Sequence, residues 1–368
     1  MKNTGVKAYG IEAPLIREGD DIVKVVVDSV LDATTNGEEL NNEKDVIAIT
    51  ESVVARAGAL YVTVDDIAED IKKKFGKNPT ICLTDMIYSR NRFSLILRGF
   101  ARGAKKLILV MENYDEVGNP RGKNPFTGVD IEEFYKELIK NEDCEVEILH
   151  RLRTIWNENP NLIYKGVDYI KEKIDGFIDC SLHTKGKFSG LGFHSWYCFH
   201  PVYLLSDICA DKNPDFGLLG SNKATEERLK LFPTKKMADE VCNNVMTEIK
   251  EKTGKEVIVM VYGDGSYKDL DAGIWEMADP VSSPGYTHKE LLNGTPNEVK
   301  LKSVIDNTAS NAEVRKIVNM NKGKNLVGKM TSMGTTPRKF INLLASLCDL
   351  VSGSGSRATP IILIQNYF

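Results

Sequence analysis

The chain has 368 residues, 42% hydrophobic and 27% charged, with a formal net charge of −4. That balance suits a folded globular protein and excludes a general nucleic-acid binder or a protein held on an anionic membrane surface. Seven cysteines with no CxxC pair, no apolar signal region in MKNTGVKAYGIEAPLIREGDD and no apolar run of membrane-spanning length lead us to expect reduced thiols and a cytoplasmic protein.

The length accommodates two domains, or one with a large insertion. The first segment reads strand, loop, helix, strand. DDIVKVVVDSVLDAT has apolar residues at helical spacing, and KDVIAITESVVARAG begins as an alternating or buried strand. TVDDIAEDIKKKFG predicts a helix with Thr63 as N-cap, acids early, lysines late and Gly76 at the stop. From about 78 to 190 short strands alternate with helices: TICLTD, KLILVM and EVEILHRL as strands, RFSLILRGFARG, DIEEFYKELIKN and YKGVDYIKEKI as helices. The polar Gly/Pro-rich stretch 115–128 reads as a surface or covering loop. TKKMADEVCNNVMTEIKEKTG is a long helix with Thr234 as cap and Gly254 as stop. The strand VIVMVYG, a helix around 299–319, the helix RKFINLLASLCDLVSG and the strand TPIILIQ complete a mixed α/β pattern in two lobes.

Several segments hold residues with chemical potential. Gly263-Asp264-Gly265-Ser266 sets a carboxylate between two glycines at a strand end, either as a simple Asp-Gly turn or as a hard ligand for magnesium or manganese. Asp269 and Asp271 read as solvated. Asp306, in KSVIDNTASNAEV, either faces solvent or supplies a second carboxylate across a cleft from Asp264. The loop Ser352-Gly353-Ser354-Gly355-Ser356-Arg357 is a generic small-residue turn or a phosphate cradle with Arg357 as counter-charge. The basic stretch 323–339 is a weaker phosphate candidate. His194, Cys198 and His200 sit in an aromatic-rich segment that reads as packing rather than zinc. No Walker A, GxSxG or GxGxxG pattern occurs, which leaves serine hydrolases and Rossmann dehydrogenases unsupported.

The order of these segments is informative. YGIEAPLIREGDDI, KDVIAITESVVARAGAL, FGLLGSNKA, LKLFPTKKMADEVCNNVMTEIKEKTGKEVIVMVYGDGS, VIDNTAS and the small-residue loop before TPIILIQ together resemble the coenzyme F-420-0:L-glutamate (gamma-glutamyl) ligase family, over roughly residues 8–75 and 215–366. The resemblance implies a two-lobed mixed α/β ligase fold. Residues 1–75 and 200–368 would form a discontinuous core, and 76–199 an inserted α/β region that binds or covers the acceptor. It further implies a GTP-driven, metal-dependent ligase, with ATP as the alternative nucleotide. Such an enzyme makes an acyl phosphate on a small carboxylate acceptor, which the amine of L-glutamate or another amino acid attacks. Carried over, Asp264, Asp306 and Asn307 become ligands for Mn2+ or Mg2+. Ala13, Pro14, Leu15, Ile16, Glu51, Ser52, Arg56, Ser266 and Ser352, Gly353, Ser354, Gly355, Ser356 and Arg357 hold the nucleotide. A homodimer with small-molecule partners, without nucleic acid or membrane, goes with the family. The sequence departs from it where Thr-Asp-Thr becomes Gly-Asp-Gly, where a lysine becomes Arg56 and where Asn307 replaces an acid. Those departures keep two alternatives open: a non-catalytic nucleotide or metabolite binder with the same fold, and an unrelated phosphotransferase.

Overall fold

A computed structural model describes residues 5–35, 37, 39–40, 44–115, 118–125, 127–150, 174–181, 200–263, 282–293, 304, 310–320, 339–353 and 358–368. Strand β1 (Lys7–Ile11) leads to helix α1 (Ile22–Thr35), β2 (Asp45–Thr50), α2 (Glu51–Ala57), β3 (Tyr61–Thr63) and α3 (Val64–Phe75). There follow β4 (Thr80–Thr84), α4 (Phe93–Gly103), β5 (Lys106–Met111), α5 (Ile131–Ile139) and β6 (Glu145–His150). Four short strands come next: β7 (Gly176–Asp179), β8 (Val202–Leu204), β9 (Asn222–Lys223) and β10 (Arg228–Lys230). The remainder holds α6 (Lys235–Thr253), β11 (Val257–Gly263), β12 (Ser282–Tyr286), a 3-10 turn (Lys289–Leu292), α7 (Asn311–Met320), α8 (Phe340–Val351) and β13 (Ile361–Gln365).

These strands build three sheets, and the fold is mixed α/β as the sequence predicts. The first sheet runs β1-β13-β2-β11-β12, with β2 and β11 parallel and the other neighbours antiparallel. Every residue of β2, β11 and β13 is buried. One face packs Ile47, Ile49, Val259 and Leu363 against α1 and α6, and the other packs Val46, Met260 and Ile364 against Leu344 and Cys348 of α8. Helices on both faces are why these strands read as continuous apolar runs rather than alternating ones.

The second sheet is wholly parallel, in the order β6-β5-β4-β7-β8. Helices α3, α4 and α5 share a core with one of its faces, through Ile67, Ile71, Phe100, Leu109 and Tyr135. A third, antiparallel sheet of three short strands, β3-β10-β9, adjoins that core through Val62 and Leu229.

Caps fix several helix ends where the sequence places them. Thr63 accepts from the Asp66 amide while the Asp66 carboxylate takes the Thr63 N–H, a reciprocal capping box. Thr234 accepts from Met237 N, and Gly254 closes α6 at φ 71°. Residues 51–57 turn helical directly after β2, although they continue the apolar run of that strand. The helix expected around 299–319 is described as α7 from Asn311 to Met320, with Val304 also helical. The helix expected at 164–174 falls almost wholly outside the described residues.

Two glycines of α4 set how closely it packs on α3. A Cβ on Gly99 would lie 2.6 Å from Ile67 Cγ2, and one on Gly103 would lie 2.8 Å from Ile71 Cβ. We therefore expect Gly99→Ala to lower stability by about 1–3 kcal/mol through overpacking, read by urea denaturation.

Candidate active site

The register of the first sheet gathers five strand ends at one edge. Ile11 lies opposite Ile361, Ile361 opposite Ile49, and Ile49 opposite Val261. Beyond that row, Ala13 N donates to Ala358 O at 3.1 Å, Thr50 N donates to Pro360 O at 3.0 Å, and Gly263 pairs with Ser282. The segment after β1, the start of β13, the carboxyl ends of β2 and β11 and the start of β12 therefore share one end. The carboxyl ends of adjacent parallel strands are where open α/β sheets place ligands.

Of the residues predicted to hold a nucleotide, Glu51, Ser52, Ala13 and the 358 side of the small-residue loop lie at this edge. Gly353 and Thr359 bridge each other, with Thr359 N donating to Gly353 O at 3.0 Å, so both ends of the segment 354–357 are pinned together. Pro14 is exposed, Leu15 is 85% exposed and Ile16 enters the core. Arg56 is exposed in the last turn of α2, about 7 Å along the helix from Glu51. Asp264, Ser266, Asp306, Asn307, Ser354, Gly355, Ser356 and Arg357 lie outside the described residues.

One buried charge near this edge escaped sequence reasoning. Lys230 Nζ contacts Glu51 Oε1 at 2.5 Å and Oε2 at 2.6 Å, with the lysine side chain 9% and the glutamate 5% exposed. Both groups are withdrawn from water, and each is tolerable there because of the other. The signal was a lysine within the apolar strand RLKLF, a position that needs a buried partner. The first glycine of Gly-Asp-Gly also acquires a reason: a Cβ on Gly263 would lie 2.1 Å from Glu51 Cγ. The strand passes so close to the ion pair that only glycine fits before the chain reaches Asp264.

One buried hydroxyl near this edge, Ser282 Oγ, makes no hydrogen bond among the described residues. Burial raises the Tyr262 phenol, partly offset by the nearby Ser352 hydroxyl. An ammonium and a free hydroxyl are donors suited to phosphate oxygens. No group of three or more His, Cys, Asp or Glu that could hold a metal occurs among the described residues. A metal would rely on Asp264, one residue beyond Gly263, with Asp306 and Asn307, and Ser282 Oγ and Lys230 suit the phosphates such a metal accompanies. For the zinc reading, His194 and Cys198 lie outside the described residues, and the His200 ring packs against Phe177 at 6.2 Å.

A family model described as F420-0:Gamma-glutamyl ligase matches residues 10–366. The chain belongs to that family. No curated protein matches it. Membership extends over all three sheets of this ligase-family chain, and no helix among its described residues is long and apolar enough to cross a membrane.

Removing one member of the ion pair strands the other in the interior. Lys230→Met and Glu51→Gln should each cost roughly 3–5 kcal/mol, and the double variant clearly less than the sum. A double-mutant cycle in chemical denaturation measures the coupling.

Proposed function

We propose that this ligase-family chain is a metal-dependent, GTP-driven amide ligase joining an amino acid such as L-glutamate to a small carboxylate acceptor. The observation that carries this reading is the convergence at one sheet end of residues 13–16, Glu51–Ser52, Gly263 leading to Asp264, and the loop between Gly353 and Thr359. Family membership supports the gamma-glutamyl ligase type. The acceptor is the deazaflavin coenzyme or another small carboxylate. An acceptor carboxylate oxygen attacks the terminal phosphate of GTP, releasing GDP and giving an acyl phosphate. The neutral amine then attacks the acyl carbon, phosphate leaves with its electron pair, and the amine's proton passes to solvent.

In this reading Lys230 is an ammonium held by Glu51 beside the phosphate path, and Ser282 Oγ donates to a phosphate oxygen. Glycines 263 and 353 keep the backbone low so that the nucleotide approaches closely. Manganese or magnesium, bound by Asp264, Asp306 and Asn307, would neutralise phosphate charge and orient the transfer. The enzyme would act as a cytoplasmic homodimer on small molecules, without nucleic acid or membrane, and residues 76–199 would contribute to the acceptor side.

Calorimetric titration of GTP, with ATP in parallel, tests this in metal-stripped protein with and without manganese. We expect manganese-dependent binding that weakens at least about tenfold in Asp264→Asn and Asp306→Asn, a loss of about 1.4 kcal/mol. No nucleotide binding with metal present would sink the ligase reading. Binding without GTP consumption across a broad acceptor screen would favour the non-catalytic alternative.

A further inference from the structure

The parallel sheet carries buried polar groups that the proposed nucleotide site does not use. From β4 the chain moves to β5 and β6 on one side, then returns to β7 and β8 on the other. The strand order therefore reverses between β4 and β7, and the carboxyl ends at such a switch point are where doubly wound sheets place a ligand crevice. Thr84 lies opposite Asp179 and Asp179 opposite Leu204, so β4, β7 and β8 end level. Asp85, Ser181 and Ser206 follow within two residues of that last row.

Asp179, Ser181 and Ser206 are 4%, 3% and 2% exposed. Asp179 Oδ1 accepts from Ser181 N at 2.9 Å, which draws the carboxylate past the strand end. Among the described residues no cation pairs with Asp179; burial raises its pKa, opposed by the nearby Ser181 hydroxyl and amide. Ser181 Oγ and Ser206 Oγ make no hydrogen bond of ordinary geometry. Asp85, at φ 52°, turns the chain sharply where the crevice begins. A buried carboxylate without a counter-charge among the described residues, and a buried Ser206 hydroxyl without a partner there, are costs that a protein sheds unless something fills them.

We propose that this crevice is a second binding site, for the ammonium group of a small amine or amino acid, with Asp179 as its counter-charge and the Ser181 and Ser206 hydroxyl oxygens as the remaining acceptors. An ammonium has three donors, and these are three acceptors. An anionic group placed in the ammonium's position would meet the Asp179 carboxylate with like charge. A sugar hydroxyl would take the same hydrogen bonds but leave the carboxylate's charge uncompensated.

The crevice has a short structural route to the ligase site. Lys223 N donates to Asn91 O, in the connection after β4, at 3.2 Å, and Asn222 lies opposite Lys230 in the β9–β10 pair. An amino acid held at Asp179 would be the amine substrate, a role that rests on the ligase reading; the binding itself does not.

The test is calorimetry on the nucleotide-free full chain, titrating L-glutamate, glycine, L-lysine and putrescine, with adenosine as a ribose-bearing probe. At least one amine should bind, about tenfold more weakly in Asp179→Asn and about three- to tenfold more weakly in Ser181→Ala and Ser206→Ala. Thermal melts supply a second readout. Ser206→Ala loses an orphaned hydroxyl and should melt at or above the parent temperature. Asp179 binds its proton more tightly folded than unfolded, so its contribution is fully present below the unfolded pKa and is lost as pH rises toward the folded one. Asp179→Asn should therefore melt higher than the parent at neutral pH, and amine binding should weaken as pH falls and Asp179 protonates. No amine binding up to about 10 mM, where even a millimolar site would be largely filled, overturns the proposal. So does unchanged affinity in all three variants, or binding of adenosine in place of the amines. Because nucleotide is omitted, a failed GTP titration leaves this result standing, and the reverse holds too.

Discussion

The arrangement of the candidate active site depends on the buried pair between Glu51 and Lys230. The two residues are 179 positions apart, one at the start of α2 where β2 ends and the other in β10, and each charge offsets the cost of burying the other. The pair joins the carboxyl end of β2 to the antiparallel sheet through β10. It also leaves so little room that the neighbouring strand must pass it as Gly263. One electrostatic requirement thus fixes a strand junction, a residue type and the point from which the chain enters the Asp264 loop.

The two large sheets solve burial in similar ways but present their strand ends differently. In the first sheet, antiparallel β13 enters between β1 and β2, so strand starts and strand ends are mixed along one edge. Backbone donors and acceptors from five strands then meet in one place, a setting suited to a polyanionic ligand that contacts main chain. In the second sheet all five strands run the same way, so side chains after the strand ends are collected together instead. Asp179, Ser181 and Ser206 come from only two such ends.

Much of this was legible in the sequence, and the limits have physical causes. Helices with strong periodicity and defined caps, such as those begun by Thr63 and Thr234, were readable because all the information is local. So were the apolar runs KLILVM, which becomes β5 with the expected boundaries, and TPIILIQ, whose last five residues become β13. Strands of two to four residues, β3, β7, β8, β9 and β10, were not, because too few side chains show a period and pairing alone defines them. Near the candidate site, Glu51 and Ser52 were singled out through resemblance, whereas Lys230 was not, since its pairing is with a residue distant in sequence. Asp179 was missed for a related reason: GFIDCS looks unremarkable until the strand order sets it beside the connection leaving β4.

The position of β13 has a further consequence, for biogenesis. This strand is paired on both sides, to β1 near the start of the chain and to β2, so the first sheet acquires its continuous middle only when residues 361–365 have been synthesised. On a ribosome adding about 5–20 residues each second, the parallel sheet, complete by residue 204, is available for tens of seconds or less before its neighbour can close. During that interval β1 and β2 present unsatisfied edges, a hazard for strand-to-strand association. A sheet whose interior strand is made after both of its neighbours can close only once that strand has emerged.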